Sequence, residues 1–182
     1  YAISKHFSEM EVWRASAEGL NTVIVNPGLI IGSGNWKESS GTLFMEFEKN
    51  DYTFSGGTSY VDVRDVAQIS IELMEKNIFG ERFILVSESA KYEEIGNSIR
   101  QKLGKSPMKL LPNVVLKVGF YLNLLFGWLF SPLKMANKVN VQSVTEFNKI
   151  SNKKIKEKLN YEFIPLKESL AFHLENYKKD RS

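Results

Sequence analysis

Thr22-Val23-Ile24-Val25-Asn26-Pro27-Gly28-Leu29-Ile30-Ile31-Gly32 is the stretch on which the fold turns. Its first four residues form a β-branched run suited to a buried strand, and Asn26-Pro27-Gly28 breaks that run. Leu29-Ile30-Ile31 resumes it briefly before the loop Ser33-Gly34-Asn35. Upstream, Ala2, Phe7, Met10, Trp13 and Ala17 recur at near-helical spacing, with Glu9, Glu11 and Arg14 between them. They predict a helix over residues 1–18, stopped by Gly19. A helix, a tight turn and an almost continuously apolar strand describe part of a parallel α/β sheet.

Outward from this unit the pattern continues in alternation. Residues 43–49 read as a helix carrying Leu43, Phe44 and Phe47, Gly56-Gly57 as a turn, and residues 60–63 as a short alternating strand. A helix follows over 65–76, with Asp65 expected as its N-cap. Gly80 closes it, and Arg82-Phe83-Ile84-Leu85-Val86 is the next strand. Residues 91–103 form an amphipathic helix with Ile95, Ile99 and Leu103 inward, and two further helices are expected at 152–159 and 166–177. The apolar run 113–130, between Pro112 and Pro132, approaches the roughly 20 residues of a membrane span. Lys117, Asn123 and two glycines interrupt it, so a lid or packing helix over a hydrophobic pocket is the preferred reading. A membrane-surface helix ranks second.

Composition bounds the chemistry. The chain has 182 residues, 43% hydrophobic and 25% charged, as in an ordinary globular protein. A net charge of +3, without a basic stripe interleaved with aromatics, does not describe a nucleic-acid binder. The absence of cysteine excludes disulfides, thiolate catalysis and cysteine-ligated metal sites, and two separated histidines, His6 and His173, predict no metal centre. No signal peptide is visible, which makes the cytoplasm the default. The chain starts at Tyr1, inside a helix, and is read as an incomplete chain.

Tyr1 and Lys5 stand four apart, on one face of that helix. A phenol with a pKa of about 10 is a poor acid or base at neutral pH. A fixed cation within roughly 4–6 Å favours the phenolate and lowers that value by a few units. The pair then suits proton exchange with a carbonyl or an alcohol. Alone, the same spacing describes many helix surfaces.

Further motifs lift the pair above chance. Residues 1–5 (YAISK), 22–34 (TVIVNPGLIIGSG), 60–67 (YVDVRDVA) and 159–166 (LNYEFIPL) occur in an order and spacing that resemble the C-terminal half of an extended short-chain dehydrogenase/reductase. This is the superfamily of NAD-dependent epimerases, dehydratases and dihydroflavonol-reductase-like enzymes. The resemblance implies an α/β fold: the C-terminal part of a Rossmann-like doubly wound domain, with a small, mostly helical substrate-binding lobe. Residues 1–40 would supply the catalytic helix and strand. Residues 41–182 would form mainly the substrate lobe, with a strand near 81–87 returning to the Rossmann sheet. It also implies NAD or NADP as cofactor. Tyr1 would be the acid/base, and Lys5 would hold the nicotinamide ribose and stabilise the phenolate. Pro27 and Ile30 would lie under the carboxamide, and Ser40 would contact the ribose or pyrophosphate unless it serves as a helix cap.

Two departures shape the expected function. No Gly-rich dinucleotide fingerprint occurs in the chain, so the resemblance implies roughly 120–150 further residues upstream, without which the chain would be inactive. Thr58 stands where nucleotide-sugar enzymes commonly place a diphosphate-binding arginine, which removes a bidentate contact. The leading expectation is therefore a reductase acting on the carbonyl of a small or hydrophobic molecule. The alternatives are a nucleotide-sugar epimerase or dehydratase, and a non-catalytic interaction module. A homodimer through the first helix is implied by the resemblance, and membrane contact is the minor reading. Lys5 and Glu9 are expected to pair on the helix surface, His6 to be structural, and Arg64 to make a surface salt bridge. Asp62 and Asp65 are expected to serve as caps or loop acceptors.

Overall fold

The stretch that opens as one strand folds as two, and they belong to different sheets. In the computed structural model, which describes residues 2–126 and 137–181, Tyr1, residues 127–136 and Ser182 lie outside the described residues. So do the side chains of Ala2, Ser39 and residues 124–126. The chain runs α1 (Ala2–Ala17), β1 (Val23–Pro27), β2 (Leu29–Ile31), a 3-10 turn at Ser39–Gly41, α2 (Thr42–Lys49), β3 (Tyr52–Thr53) and β4 (Gly57–Asp62). It continues through α3 (Val63–Glu75), β5 (Glu81–Leu85), β6 (Glu88–Lys91), α4 (Tyr92–Lys102) and β7 (Lys109–Leu110). It ends in α5 (Asn113–Phe126), α6 (Lys138–Thr145), α7 (Lys153–Leu159) and α8 (Leu166–Lys179).

β1 pairs in parallel with β5, Val23 opposite Glu81 and Pro27 opposite Leu85. β2 pairs in parallel with β4, Leu29 opposite Tyr60, and β4 pairs antiparallel with β6. Gly28 is where the chain passes from one sheet to the other. Its amide donates to the Leu85 carbonyl at 2.9 Å, and a Cβ there would stand 2.4 Å from the Ser59 carbonyl oxygen. No side chain fits that approach.

β4 corrects the expected alternating strand at residues 60–63. It starts at Gly57, expected as part of a turn, and both of its faces are buried, because two cores share it. Tyr60 faces Phe44, Ile95, Ile99, Leu170, Leu174 and Tyr177. Val61 faces Ile69, Leu73, Phe83, Leu85, Ile155 and Leu159. A strand covered on both sides has no polar face to alternate with.

α3 begins two residues before the expected position. Its N-cap is Asp62, whose carboxylate accepts from the Arg64 amide at 2.8 Å, and Asp65 lies inside the first turn. The short strands β3 and β7, paired with each other, and the helix α6 have no counterpart in the sequence reading. Of the apolar run 113–130, residues 113–126 form α5, which packs on α6; residues 127–130 lie outside the described residues. No helix among the described residues is long and apolar enough to cross a membrane.

Candidate active-site groove

α1 stops sharply. Gly19 adopts φ +102°, the Leu20 amide reaches back to the Ala15 carbonyl at 3.0 Å, and the Gly19 amide bonds Ser16 at 3.1 Å. This Schellman arrangement turns the chain within a few residues into β1. Glu9 then fixes the helix across the strands. Its carboxylate accepts from Arg82 Nη1 at 2.6 Å on β5, from Trp13 Nε1 at 3.3 Å and from Asn26 Nδ2 at 3.5 Å at the end of β1. The Arg82 guanidinium, with Trp13 and Asn26 behind it, holds this carboxyl below the ordinary glutamate range.

Between α1 and the carboxyl end of β1 opens a groove of about 850 Å³. α1 contributes Lys5, His6, Ser8, Glu9 and Val12 to it, the β1–β2 strand segment contributes Ile24 to Ile30, and Ser40 closes one side. The volume falls within the roughly 300–1,000 Å³ of ordinary ligand sites, at the strand ends where open α/β sheets bind ligands. Lys5, Pro27, Ile30 and Ser40, read from the sequence as cofactor contacts, thus line a single groove although they come from four separate elements, α1, β1, β2 and the 3-10 turn. Tyr1, read as the acid/base, lies outside the described residues. The N-cap of α2 is Gly41, so Ser40 precedes the cap and faces the groove. Asn26 and Ser8 also line it. The helical spacing of Ser8 with Ser4 and Lys5 was the available signal for one, and the break after Val25 for the other.

The motif at 60–67 builds a second constellation around the buried carboxylates of Asp62 and Asp65. Arg64, expected as a surface salt bridge, clamps Asp62 with both Nε and Nη2, at 2.9 and 2.8 Å, and stacks 4.1 Å over the Phe172 ring. His173 Nε2 meets the same carboxylate at 3.2 Å, and its Nδ1 lies 2.6 Å from Ser33 Oγ. A carboxylate only accepts, so Nε2 carries the hydrogen; in the neutral ring Nδ1 accepts from the Ser33 hydroxyl. Asn176 Nδ2 donates to Ser33 Oγ at 2.9 Å. Burial alone would push the Asp62 carboxyl up, but the His173 and Arg64 bonds outweigh it and hold the group far below the usual aspartate range. Asp65, also buried, accepts from the Tyr161 hydroxyl at 2.9 Å and the Ile164 amide at 3.1 Å. For Asp65 burial wins and its pKa is raised. The Tyr161 phenol is likewise pushed up, first by burial and then by its bond to Asp65.

No family model matches the chain. A dTDP-glucose 4,6-dehydratase from Bacillus anthracis, solved with NAD, superposes over 100% of this chain with a TM-score of 0.71 at 12% identity, and the match covers 52% of that protein. A nucleoside-diphosphate-sugar epimerase from Pseudomonas aeruginosa superposes over 97% with a TM-score of 0.72 at 15% identity, covering 54% of that protein. The fold is the Rossmann-like α/β fold found over about half of these epimerase and dehydratase structures. RMD from Pseudomonas aeruginosa, solved with NADPH, superposes with a TM-score of 0.68 at 14% identity, over 98% of this chain and 56% of its own. In sequence, the chain is 30% identical over 98 residues to sterol demethylase protein B of Methylococcus capsulatus, a match covering 52% of this chain and 30% of that protein. The chain therefore spans about half the length of the solved structures it matches, and less of the curated relative. The α/β, Rossmann-like class read from the motifs is the class observed.

Proposed function

We propose that the groove beside Lys5 receives the nicotinamide end of NAD or NADP, and that the intact protein is an NAD(P)-dependent oxidoreductase reducing a carbonyl on a small or hydrophobic substrate. The supporting observation is that Lys5, Pro27, Ile30 and Ser40 line one groove with a cation, a hydroxyl and an apolar floor. That donor set fits a ribose beside a flat aromatic amide. When bound, the nicotinamide supplies the hydride. Lys5 offers its ammonium to the ribose hydroxyls and favours the phenolate of Tyr1, four residues before it in sequence. Tyr1 gives its proton to the substrate oxygen as that oxygen gains charge. Pro27 and Ile30 shield the reacting face from water, and Ser40 accepts from or donates to the ribose.

Tyr1→Phe in the intact protein is the direct test. Turnover should fall by roughly 10²–10⁴-fold, the usual worth of a positioned acid/base, while cofactor titration stays near wild type. Undiminished turnover would remove Tyr1 from the mechanism. A second reading, epimerase or dehydratase chemistry on a nucleotide sugar, is favoured by the names of two of the structural neighbours. Conversion of a UDP- or dTDP-sugar, with no reduction of simple hydrophobic ketones or aldehydes, would select it.

A further inference from the structure

α5 turns an apolar arc away from the protein. At 3.6 residues per turn Val114, Val115, Val118, Tyr121 and Leu122 fall within about a third of the helix circumference. All are exposed, from 40% at Leu122 to 68% at Val114. Beside them α5 and α6 enclose a groove of about 610 Å³, whose lining includes Phe120, Tyr121 and Val141 together with Lys117 and Lys138. An apolar surface of this extent marks an interaction face.

Charge says what kind of partner it meets. Between Glu94 and Glu146 the sequence holds seven Lys and Arg and no acidic residue, whereas the rest of the chain has 17 Lys and Arg against 21 Asp and Glu. The positive charge of the molecule is therefore concentrated in this segment. Lys109 lies on the strand leading into α5, Lys117 on α5 and Lys138 at the start of α6. Valines and a leucine flanked by lysines, with a tyrosine among them, match an element lying in a lipid headgroup boundary. The fourteen described residues of α5 rise about 21 Å, against the roughly 30 Å of a bilayer core, and their apolar arc covers one side of the helix.

We propose that α5 is a docking element for an anionic lipid surface. Its apolar arc enters the headgroup–acyl boundary, and Lys109, Lys117 and Lys138 pair with lipid phosphates and carboxylates. This is independent of the chemistry assigned to the Lys5 groove and survives its failure.

Flotation of the intact protein with vesicles of phosphatidylcholine, with and without about 30 mol% phosphatidylserine, tests the idea. Binding should be at least about 10-fold stronger on the anionic vesicles and weaken with added salt. Val118→Asp with Leu122→Asp, at exposed positions, should abolish it while circular dichroism stays unchanged. Lys117→Glu with Lys138→Glu leaves the apolar arc intact and should bring binding down to the neutral-vesicle level, at about 5-fold per lysine removed. Equal binding to both vesicle types would overturn the proposal, as would binding that survives both double variants. Absence of binding, with a dimer in sedimentation that Val118→Asp dissolves, would assign the face to a second copy of the chain and overturn the lipid assignment.

Discussion

α1 and α8 both carry an apolar stripe, yet they end in opposite situations. On α8, Leu166, Leu170, Leu174 and Tyr177 are each at most 6% exposed, packed against β2 and β4. On α1, Ile3, Phe7 and Met10 are 73%, 60% and 51% exposed. The difference lies in what each helix finds on its apolar side. α8 meets two strands and is tied down by polar contacts, His173 to Asp62 at 3.2 Å and the Tyr177 hydroxyl to Glu48 at 2.7 Å. α1 is held along one flank through Glu9, which accepts from Arg82 and Asn26, and its remaining apolar face has no cover among the described residues. Helical periodicity states that a helix has a face, but leaves open what covers it. The loosely held helix is also the one that lines the groove, in keeping with the tendency of binding elements to come from the less stable end of a fold.

The sharpest way to break this contrast is to remove the anchor of α8. Asp62→Ala strands the Nε2–H of buried His173, releases Arg64 and deletes the N-cap of α3. Removing one partner of a buried charged cluster costs about 3–5 kcal/mol, a large part of the stability of a domain this size. Denaturant melts at neutral pH should show that loss. A variant within about 1 kcal/mol of wild type would mean that α8 is held by its apolar side chains alone.

Those side chains give the next effect in size. Leu174→Ala opens a cavity beneath β4 and should cost about 2–5 kcal/mol in the 182-residue chain. Phe7→Ala removes a larger side chain from the open face of α1 and should stay within about 0.5 kcal/mol. Similar losses at the two positions would mean that α1 is covered in solution, and the contrast between the helices would disappear.

Much of this arrangement is legible in the sequence where local chemistry decides it. The strand break at Pro27-Gly28 and the helix stop at Gly19 are written in residues whose backbone behaviour is their own. Lys5, Pro27, Ile30 and Ser40 are grouped by resemblance and not by any local rule, and the fold sets them along one groove. What stays hidden is decided by distant partners. β3 and β7 have two residues each, too few for any period to show. Asp62 and Asp65 are equally good caps on paper. Asp62 takes the role because Arg64 and His173 gather around it, while Tyr161 and Ile164 draw Asp65 inward. His173 stands 111 residues from Asp62, and nothing in its neighbourhood announces the contact.

The two aspartates also give the smallest effect, and the one with the most pointed sign. Asp62 has its folded pKa depressed, so its contribution to stability is complete above the ordinary aspartate value near 3.8 and is lost as the pH falls below it. Asp65 has its folded pKa raised by burial, so its contribution is complete below that value and declines as the pH rises through the folded pKa. The melting-temperature gap between wild type and Asp65→Asn should therefore narrow as the pH rises above the ordinary aspartate value near 3.8, on top of a fixed loss from the bonds to Tyr161 and Ile164. The gap for Asp62→Asn should widen as the pH is raised from strongly acid conditions. Groups remote from the pair titrate alike in wild type and variant and drop out of each gap; the charge of Asp62 also raises Asp65, so each gap carries part of the other carboxylate, and the opposite slopes are the signature of the pair. One is held ionised by its partners, and the other is pressed towards its neutral form by burial. Slopes of the same sign would show that a single electrostatic environment governs both, and that the cap is not distinguished from the buried acceptor by charge.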